Sequence, residues 1–307
     1  MAKTRKLLVI GGTGFIGHHL LSAAIQKAWH VSSLSLHPPS PERYVPKVSY
    51  FQGDLLDQRN LKEILYKKEF TYVVNLGGYI NHKLFRVGGR EHIEEHFTAI
   101  QNLISVLSLD KIQRFIQIGS SDEYGYAPAP QNEDLREAPI SPYSLGKVAA
   151  THFLQMLNRT ESFPVVILRL FLTYGPGQDQ HRFLPQIIRG CLNDVKFPTS
   201  SGEQLRDFCF IEDIIKAIFL ALEKEKAIGE VMNIASGEPI SIYQMINNVK
   251  KLIGKGEPSF GEIPYRSGEN MSLYADIQKA QNLLRWEPKH HLNSGLQKTI
   301  SWYAEKG

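Results

Sequence analysis

Residues 7–17 read LLVIGGTGFIG, an apolar run followed directly by a glycine-rich loop. The glycine spacing fits both G-x-G-x-x-G and G-x-x-G-x-x-G. Glycines permit a tight turn and let the backbone approach a pyrophosphate, whose charge is met by the amides and dipole of the helix that follows. Because the loop stands at the first strand-to-helix turn, the stretch predicts a dinucleotide site that uses Gly11, Gly14, Phe15, Ile16 and Gly17.

The same alternation of apolar run and helical segment recurs along the chain. Strands are predicted at residues 6–10, 30–36, 72–76, 114–118 and 165–171, and helices at 17–27, 61–67, 92–107, 143–158, 211–223 and 243–253. Strands joined by helical crossovers lie parallel, and apolar runs without a period of two suit a sheet that is covered on both faces. We expect an α/β fold, a Rossmann-type doubly wound parallel sheet with a smaller C-terminal substrate-binding lobe.

The second half of the chain is predicted to form that lobe. After about residue 175 the pattern loosens into loops, and then helices resume, the last of them with Ser241 as its N-cap and Gly254 as its end. The dinucleotide-binding domain is expected over residues 1–175, with segments around 206–236 returning to it. Residues 176–307 are expected to form mostly the substrate lobe.

Composition and charge narrow the class of protein. The net charge of +4 is spread along 307 residues, and the basic run at residues 3–6 has no interleaved aromatic residues, so anionic small molecules are favoured over nucleic acid. Cys191 and Cys209 are the only cysteines, which suits a reducing compartment. Glycines interrupt the apolar run near the N-terminus, and no stretch reaches the length of a spanning helix. We therefore expect a cytoplasmic protein without a membrane partner.

The end of the second predicted strand bears on the cofactor. NAD-binding folds usually place an acidic residue there to hold the ribose 2′-hydroxyl, whereas this chain has Ser35, with His37 and Arg43 nearby. With no carboxylate to repel a 2′-phosphate, NADP is the favoured cofactor. The alternative is that Asp54 makes the only acidic contact and that the protein also accepts NAD.

A second constellation suggests proton transfer. Tyr143 and Lys147 are spaced Y-x-x-x-K, which puts them one helical turn apart on one face. A nearby ammonium lowers the pKa of a tyrosine, so that the phenol can give or take the proton that accompanies hydride transfer. Ser120, at the end of an intervening strand, completes the set.

With these motifs the chain resembles the extended short-chain dehydrogenase/reductase family, also called the NAD-dependent epimerase/dehydratase family. The resemblance covers essentially the whole length and rests on residues 11–17, 53–55, 120–125, 142–147, 174–177 and 206–208. It implies an NAD(P)-binding domain and a lobe for a nucleotide-linked sugar, and it implies that members pair as homodimers through the segments at 92–107 and 143–158. It assigns Asp54 and Leu55 to the cofactor.

The resemblance also implies roles for the other site residues. Tyr143 is expected to be the acid/base, Lys147 to activate it and to hold the nicotinamide ribose, and Ser120, with Ser121, to contact the sugar. Arg206 and Arg266 are implied as ligands of the nucleotide diphosphate. Departures from the family pattern are Leu172, His96 and the segment 75–78, where many members carry other residues.

Three reactions share this framework: 4-keto reduction, 4-epimerisation and 4,6-dehydration. The string GSSDEYG at 119–125 is similar to that of GDP-4-keto-6-deoxymannose reductases, and Ser121 stands where dehydratases of the dTDP-glucose type carry Asp. Asp122 lies where GDP-mannose dehydratases place a catalytic Glu, so it is a candidate catalytic residue. The alternative is that Asp122 and Glu123 form a solvated loop pair. Reduction of a nucleotide-linked 4-keto-6-deoxysugar is favoured, and the other two reactions stay open.

The sequence also contains a metal-site pattern, and its fold could serve a protein without catalytic activity. Residues 92–96 read HIEEH, which matches the inverted zinc-protease motif H-x-x-E-H, but the sequence identifies no third ligand, and we predict no metal site. A non-catalytic NAD(P)-binding protein is disfavoured because the tyrosine, the lysine and the serine are all present.

Overall fold

The computed structural model describes residues 5–265 and 268–306. The strands are β1 (Lys6–Ile10), β2 (His30–Ser35), β3 (Ser49–Gln52), β4 (Tyr72–Asn75), β5 (Arg114–Ser120), β6 (Val165–Leu170), β7 (Leu172–Tyr174), β8 (Lys196–Pro198), β9 (Leu205–Phe210), β10 (Val231–Ile234), β11 (Pro239–Ser241), β12 (Glu257–Ser259) and β13 (Ser272–Leu273).

The α-helices are α1 (Phe15–Gln26), α2 (Gln58–Leu65), α3 (Arg90–Ile93), α4 (Ala99–Val106), α5 (Pro142–Glu161), α6 (Phe183–Leu192), α7 (Ile211–Glu223), α8 (Ile242–Ile253), α9 (Gln278–Leu284) and α10 (Leu292–Lys306). A π-helical turn, Glu94–Thr98, joins α3 to α4. Short 3-10 turns lie at Pro41–Arg43, Phe85–Val87, Leu109–Lys111, Ser121–Tyr124 and Glu225–Ala227.

Seven strands form the main sheet in the order β3-β2-β1-β4-β5-β6-β10. The pairs from β3 to β5 are parallel. The chain first builds outward from β1 to β3 and then crosses to the other side of β1 at β4, so the strand order reverses between β1 and β4. In open α/β sheets a ligand binds at such a reversal, beyond the carboxyl ends of the strands. The predicted Rossmann-type α/β fold is confirmed.

The core of this sheet follows from the apolar runs seen in the sequence. Buried side chains of the strands, such as Leu8, Val73 and Phe115, pack against buried faces of α2, α4 and α5. Since β1, β5 and β6 are buried at nearly every position, they show no period of two. Strands β3 and β10 were not predicted, and each is an edge strand of only four residues.

The chain divides into two compact units. The first comprises the described residues through Gly125, Arg136–Arg169 and Ala217–Met232. The second comprises Tyr126–Leu135, Leu170–Lys216 and the described residues from Asn233 onward. The second unit contains a four-stranded sheet, in which β9 pairs with β7, β11 and β13, and the two-stranded pair of β8 and β12.

In the second unit the predicted limits of α8 are confirmed. Ser241 caps the helix, because its hydroxyl accepts a hydrogen bond from the Gln244 amide at 3.1 Å, and the Gln244 side-chain oxygen accepts one from the Ser241 amide. Gly254 ends the helix in the left-handed region with φ of +83°. Among the described residues, no helix combines the length and the apolar character that crossing a membrane requires.

Candidate active site

The glycine loop lies at the reversal point of the main sheet. Gly11 has φ of +75°, and a β-carbon there would lie 3.2 Å from the backbone of Leu76, which follows β4. Gly17 must also lack a side chain, because a β-carbon would lie 2.3 Å from the Gly11 carbonyl oxygen. The first turn of α1 is thereby held directly against the loop. Gly14 is the N-cap and has no side chain to cap α1, so the first amides of the helix, at Phe15 and Ile16, are suited to bind a diphosphate.

Ser35 at the end of β2 and Arg43 in the following 3-10 turn both contact Thr13 of the glycine loop. The hydroxyl of Ser35, which is buried, accepts a hydrogen bond from the Thr13 amide at 3.3 Å. The Arg43 guanidinium donates to the Thr13 carbonyl at a nitrogen–oxygen distance of 3.5 Å. His37 lies just beyond the strand and is exposed. The edge of the dinucleotide site thus presents a hydroxyl and a cation.

Asp54 and Leu55 follow β3 in a turn next to this site. The Gly53 amide donates to the Ser35 carbonyl at 3.0 Å, which fixes the turn beside the end of β2. Asp54 is exposed, and its carboxylate accepts from the Leu56 amide at 2.9 Å. Leu55 is half-buried and lies near Gly77, beyond the end of β4. Both residues therefore border the reversal point.

Helix α5 carries Tyr143 and Lys147. It begins at Pro142 behind a capping box of Ser141 and Ser144, and it packs on β5 and on the 3-10 turn that follows β5. Tyr143 and Lys147 are both buried. The Lys147 ammonium donates to the Ile118 carbonyl at 3.0 Å, two residues before Ser120 on the same strand. Burial lowers the pKa of Lys147 to about 8 from its usual value.

Ser120 ends β5 and starts the 3-10 turn Ser121–Tyr124. Its hydroxyl accepts from the Asp122 amide at 3.2 Å. Ser120 and Ser121 are buried, and Asp122 is half-buried. The interpretation of a solvated loop pair is wrong for Glu123, which is fully buried and forms an ion pair with Arg169 at 3.0 Å. The sequence signal for this pair was Arg169 itself, a charge inside the apolar strand VVILRL.

Two histidines flank the Tyr143 ring, and sequence reasoning did not place either of them there. His96, in the π-helical turn, meets the ring edge-on with centroids 4.9 Å apart. Burial, the nearby Lys147 charge and His92 lower its pKa to about 3, although a hydrogen bond with the Tyr79 carbonyl opposes the shift, so His96 is neutral at working pH. His82 meets the ring from the loop after β4 at 5.8 Å. The nearest nitrogen–oxygen distance from His82 to Asp122 is 3.7 Å.

The two histidines of the zinc-protease pattern at residues 92–96 contact different partners. His92 hydrogen-bonds Glu95 at 2.8 Å through Nδ1, whereas His96 faces Tyr143 and Tyr79. Within residues 5–265 and 268–306, no three His, Cys, Asp or Glu side chains group as a metal site.

The two residues predicted to bind the nucleotide diphosphate are Arg206 and Arg266, both in the C-terminal part of the sequence. Arg206, in β9 of the second unit, is largely buried, and its guanidinium donates to the Glu269 carboxylate and to the Leu205 carbonyl. Its neighbour Asp207 is buried and accepts hydrogen bonds from Ser236 and from the Gly237 amide, so Asp207 fixes β9 to the turn that follows β10. Arg266 lies outside the described residues.

A model of the family described as "NAD dependent epimerase/dehydratase family" matches residues 7–235. The chain belongs to this family. The match includes the glycine loop, Ser120, Tyr143 and Lys147, and it confirms the predicted family and class of enzyme.

Relatives of this family member align along nearly its whole length. It is 28% identical to the uncharacterized UDP-glucose epimerase YtcB of Bacillus subtilis, over 97% of this chain and 98% of that protein. It is also 28% identical to dTDP-glucose 4,6-dehydratase 1 of Escherichia coli, over 97% and 92%.

A solved structure is also similar to this chain along nearly its whole length. UDP-glucuronic acid 4-epimerase of Bacillus cereus, in complex with UDP-glucuronic acid and NAD, superimposes with a TM-score of 0.85 at 29% identity, covering 98% of this chain and 100% of that one. The matches thus include both epimerases and a dehydratase. The predicted homodimer and cytoplasmic location stay predictions.

Proposed function

We propose that this family member catalyses NADPH-dependent reduction of a nucleotide-linked 4-keto-6-deoxysugar at C4. The substrate class is supported by the relatives, which include enzymes named for UDP- and dTDP-linked sugars. The choice of reduction over epimerisation is supported by the residues at the predicted cofactor site. The proposal depends mainly on these residues.

The main observation in favour of reduction is that Ser35 and Arg43 both contact Thr13 of the glycine loop. At the end of β2 a carboxylate would accept the ribose 2′-hydroxyl of NAD and repel the 2′-phosphate of NADP. Here the position holds a hydroxyl, and a guanidinium lies against the same loop residue. An enzyme that returns its hydride within each turnover has no need to select the phosphorylated cofactor, whereas a net reductase draws on NADPH. The cationic edge therefore favours a reductase.

The residues around Tyr143 suit the proton half of this reaction. NADPH, when bound, would supply the hydride that C4 of the sugar accepts, and negative charge would then develop on O4. Tyr143 donates a proton to that oxygen, Ser120 donates a hydrogen bond to it, and the Lys147 ammonium stabilises the phenolate that remains. His96 packs edge-on against the Tyr143 ring and, because its pKa is lowered to about 3, adds no positive charge beside the phenol.

The buried turn argues against dehydration. A 4,6-dehydratase needs an acid and a base at C6 and C5 in addition to the tyrosine. Ser121 follows Ser120 directly, and Glu123 is committed to Arg169 and Ser120. Asp122, which lies near His82, is the other carboxylate of this turn, so the turn offers one candidate acid or base where a dehydratase needs two. The second candidate function is 4-epimerisation, which is favoured by the epimerases that match this chain end to end.

The test is a panel of GDP-, CDP-, dTDP- and UDP-linked 4-ketosugars incubated with NADPH and, separately, with NADH. We expect stoichiometric loss of NADPH absorbance with one of these sugars and a single configuration at C4 of the product. Tyr143→Phe serves as the inactive control. Conversion of a nucleotide sugar that lacks the ketone, with no net loss of NADPH, would replace this proposal with the epimerase or the dehydratase.

A further inference from the structure

Behind Ser120 lies a carboxylate that no aspect of the proposed reaction uses directly. Glu123 is fully buried. One of its oxygens accepts the Ser120 amide at 2.8 Å, and the other accepts the Thr151 hydroxyl at 2.9 Å and the Arg169 guanidinium at 3.0 Å. Both oxygens are thus bound to groups on three different elements: the end of β5, α5 and β6.

Arg169 continues the chain of charges toward the surface. It is fully buried, stacks over the Tyr124 ring at 4.7 Å, and donates to the Glu137 carboxylate at 2.6 Å. Glu137 in turn lies 3.4 Å from His152, which is exposed. The order from the active site outward is therefore Glu123, Arg169, Glu137 and His152.

We propose that Glu123 is a positioning residue of this active site: it holds the end of β5 at Ser120, and its charge acts on Lys147, which binds the Ile118 carbonyl on the same strand. The inference rests on the proposed function only in giving Ser120 and Lys147 a part in the reaction. It would hold equally for an epimerase that uses the same residues.

A contribution to folding stability alone does not explain why Glu123 and Arg169 form a buried ion pair. Taking a carboxylate and a guanidinium out of water costs about as much as their attraction returns, so apolar residues of similar size often serve a core as well or better. The neighbourhood is nevertheless shaped to this carboxylate: a β-carbon on Gly119 would lie 2.5 Å from the Glu123 oxygen. The ion pair therefore points to a role in the site beyond filling space.

One such role is the effect of the Glu123 charge on the pKa of Lys147. Desolvation lowers the pKa of Lys147 to about 8, and the opposing influence is the negative charge of Glu123. Of the other titratable groups in this part of the site, His96 is neutral, Tyr143 lies one turn earlier on α5, and Arg169 carries a positive charge bound to the same Glu123 carboxylate. Without Glu123 the desolvation would stand unopposed, and Lys147 would lose its proton at a lower pH.

The test titrates Lys147 directly by carbon-13 NMR of lysine-labelled protein, with its signal identified by its loss in Lys147→Arg. Glu123→Gln keeps the size and one oxygen acceptor for Ser120 but removes the charge. We expect the pKa of Lys147 to fall by about one unit or more, the usual effect of losing a close opposite charge. The alkaline limb of the kcat profile should move down with it.

Glu137→Gln is the matched control, since it takes a carboxylate from the same Arg169 without touching Ser120. We expect it to lower the melting temperature and to leave the Lys147 titration in place. Equal shifts in the two variants, or no shift in Glu123→Gln, would overturn the proposal.

Glu123→Asp provides a second variant should Glu123→Gln not fold. It keeps the charge on a shorter side chain, so the Lys147 titration should persist while kcat falls tenfold or more because the Ser120 amide loses its acceptor. An unchanged kcat in Glu123→Asp would refute the positioning of Ser120. The NMR titration needs no turnover, so a failed ketosugar panel would refute the reductase alone and leave this result interpretable.

Discussion

Replacing Arg43 by Ala should weaken NADPH binding selectively. Arg43 lies half-buried with its guanidinium 3.5 Å from the Thr13 carbonyl, at the edge of the loop where the 2′-phosphate of NADPH would approach Ser35. NADH carries a hydroxyl in place of that phosphate. The substitution therefore removes an attraction that only one of the two cofactors feels.

The magnitude follows from Coulomb's law. Two unit charges about 4 Å apart attract by about 1 kcal/mol in bulk water and about 4 kcal/mol at a protein surface. Hydrogen bonds to charged groups contribute about 1.5–3 kcal/mol in mutational series. A value of about 2 kcal/mol, between these limits, corresponds to a loss of about 30-fold in the affinity for NADPH.

The assay is fluorescence titration of the reduced nicotinamide, which yields Kd for NADPH and NADH on the same protein. Arg59→Ala is the control, because Arg59 on α2 is highly exposed and its carboxylate neighbour is Glu63, one helical turn away. In Arg43→Ala we expect the ratio of the two affinities to fall by about 30-fold. Equal losses for both cofactors, or an unchanged Kd for NADPH, would refute the assignment of Arg43 to the phosphate.

The remaining predictions concern the candidate catalytic residues and the pair of Arg206 and Glu269. Tyr143→Phe should abolish turnover while leaving cofactor Kd nearly unchanged, because it removes the proton donor and little cofactor contact; steady-state kinetics that retained turnover would contradict this. For reduction, kcat should fall as pH rises through about 8, since the reaction needs the Lys147 ammonium and its pKa lies there; a profile flat through that range would count against its role. Glu269→Gln should lower KM for the nucleotide sugar several-fold, because the carboxylate competes with a diphosphate for Arg206, whereas Arg206→Ala should raise KM. A KM that rises in Glu269→Gln would show that Glu269 orients Arg206 instead.

Most of the fold was predictable because its signals are contiguous. The five predicted strands and the helices between them were located from apolar runs and helical segments, and each of those strands lies in the main sheet. The edge strands β3 and β10 escaped because four residues carry too little pattern. The placement of Ser35 at the end of β2 was also predictable, since the distance from the glycine loop sets it.

The candidate site was only partly predictable. Tyr143, Lys147 and Ser120 were found from spacing and strand position, and the structure places Lys147 on the carbonyl two residues before Ser120. Arg43 was seen only as nearby in the sequence, and its approach to Thr13 depends on the turn after β2. Arg206 was assigned a diphosphate, and its pairing with Glu269, 63 residues away, could not be seen from either segment alone.

The sequence by itself determined the alternating α/β architecture, the dinucleotide loop and the Y-x-x-x-K pair, because each depends on residues within a few turns of one another. Only the tertiary structure decided what surrounds them: the two histidines against Tyr143, and the ion pair of Glu123 with Arg169 across 46 residues. The reason is that strand order, not chain order, sets which side chains meet. Placing β5 beside β6 brings two distant charges together in a core where each needs a partner.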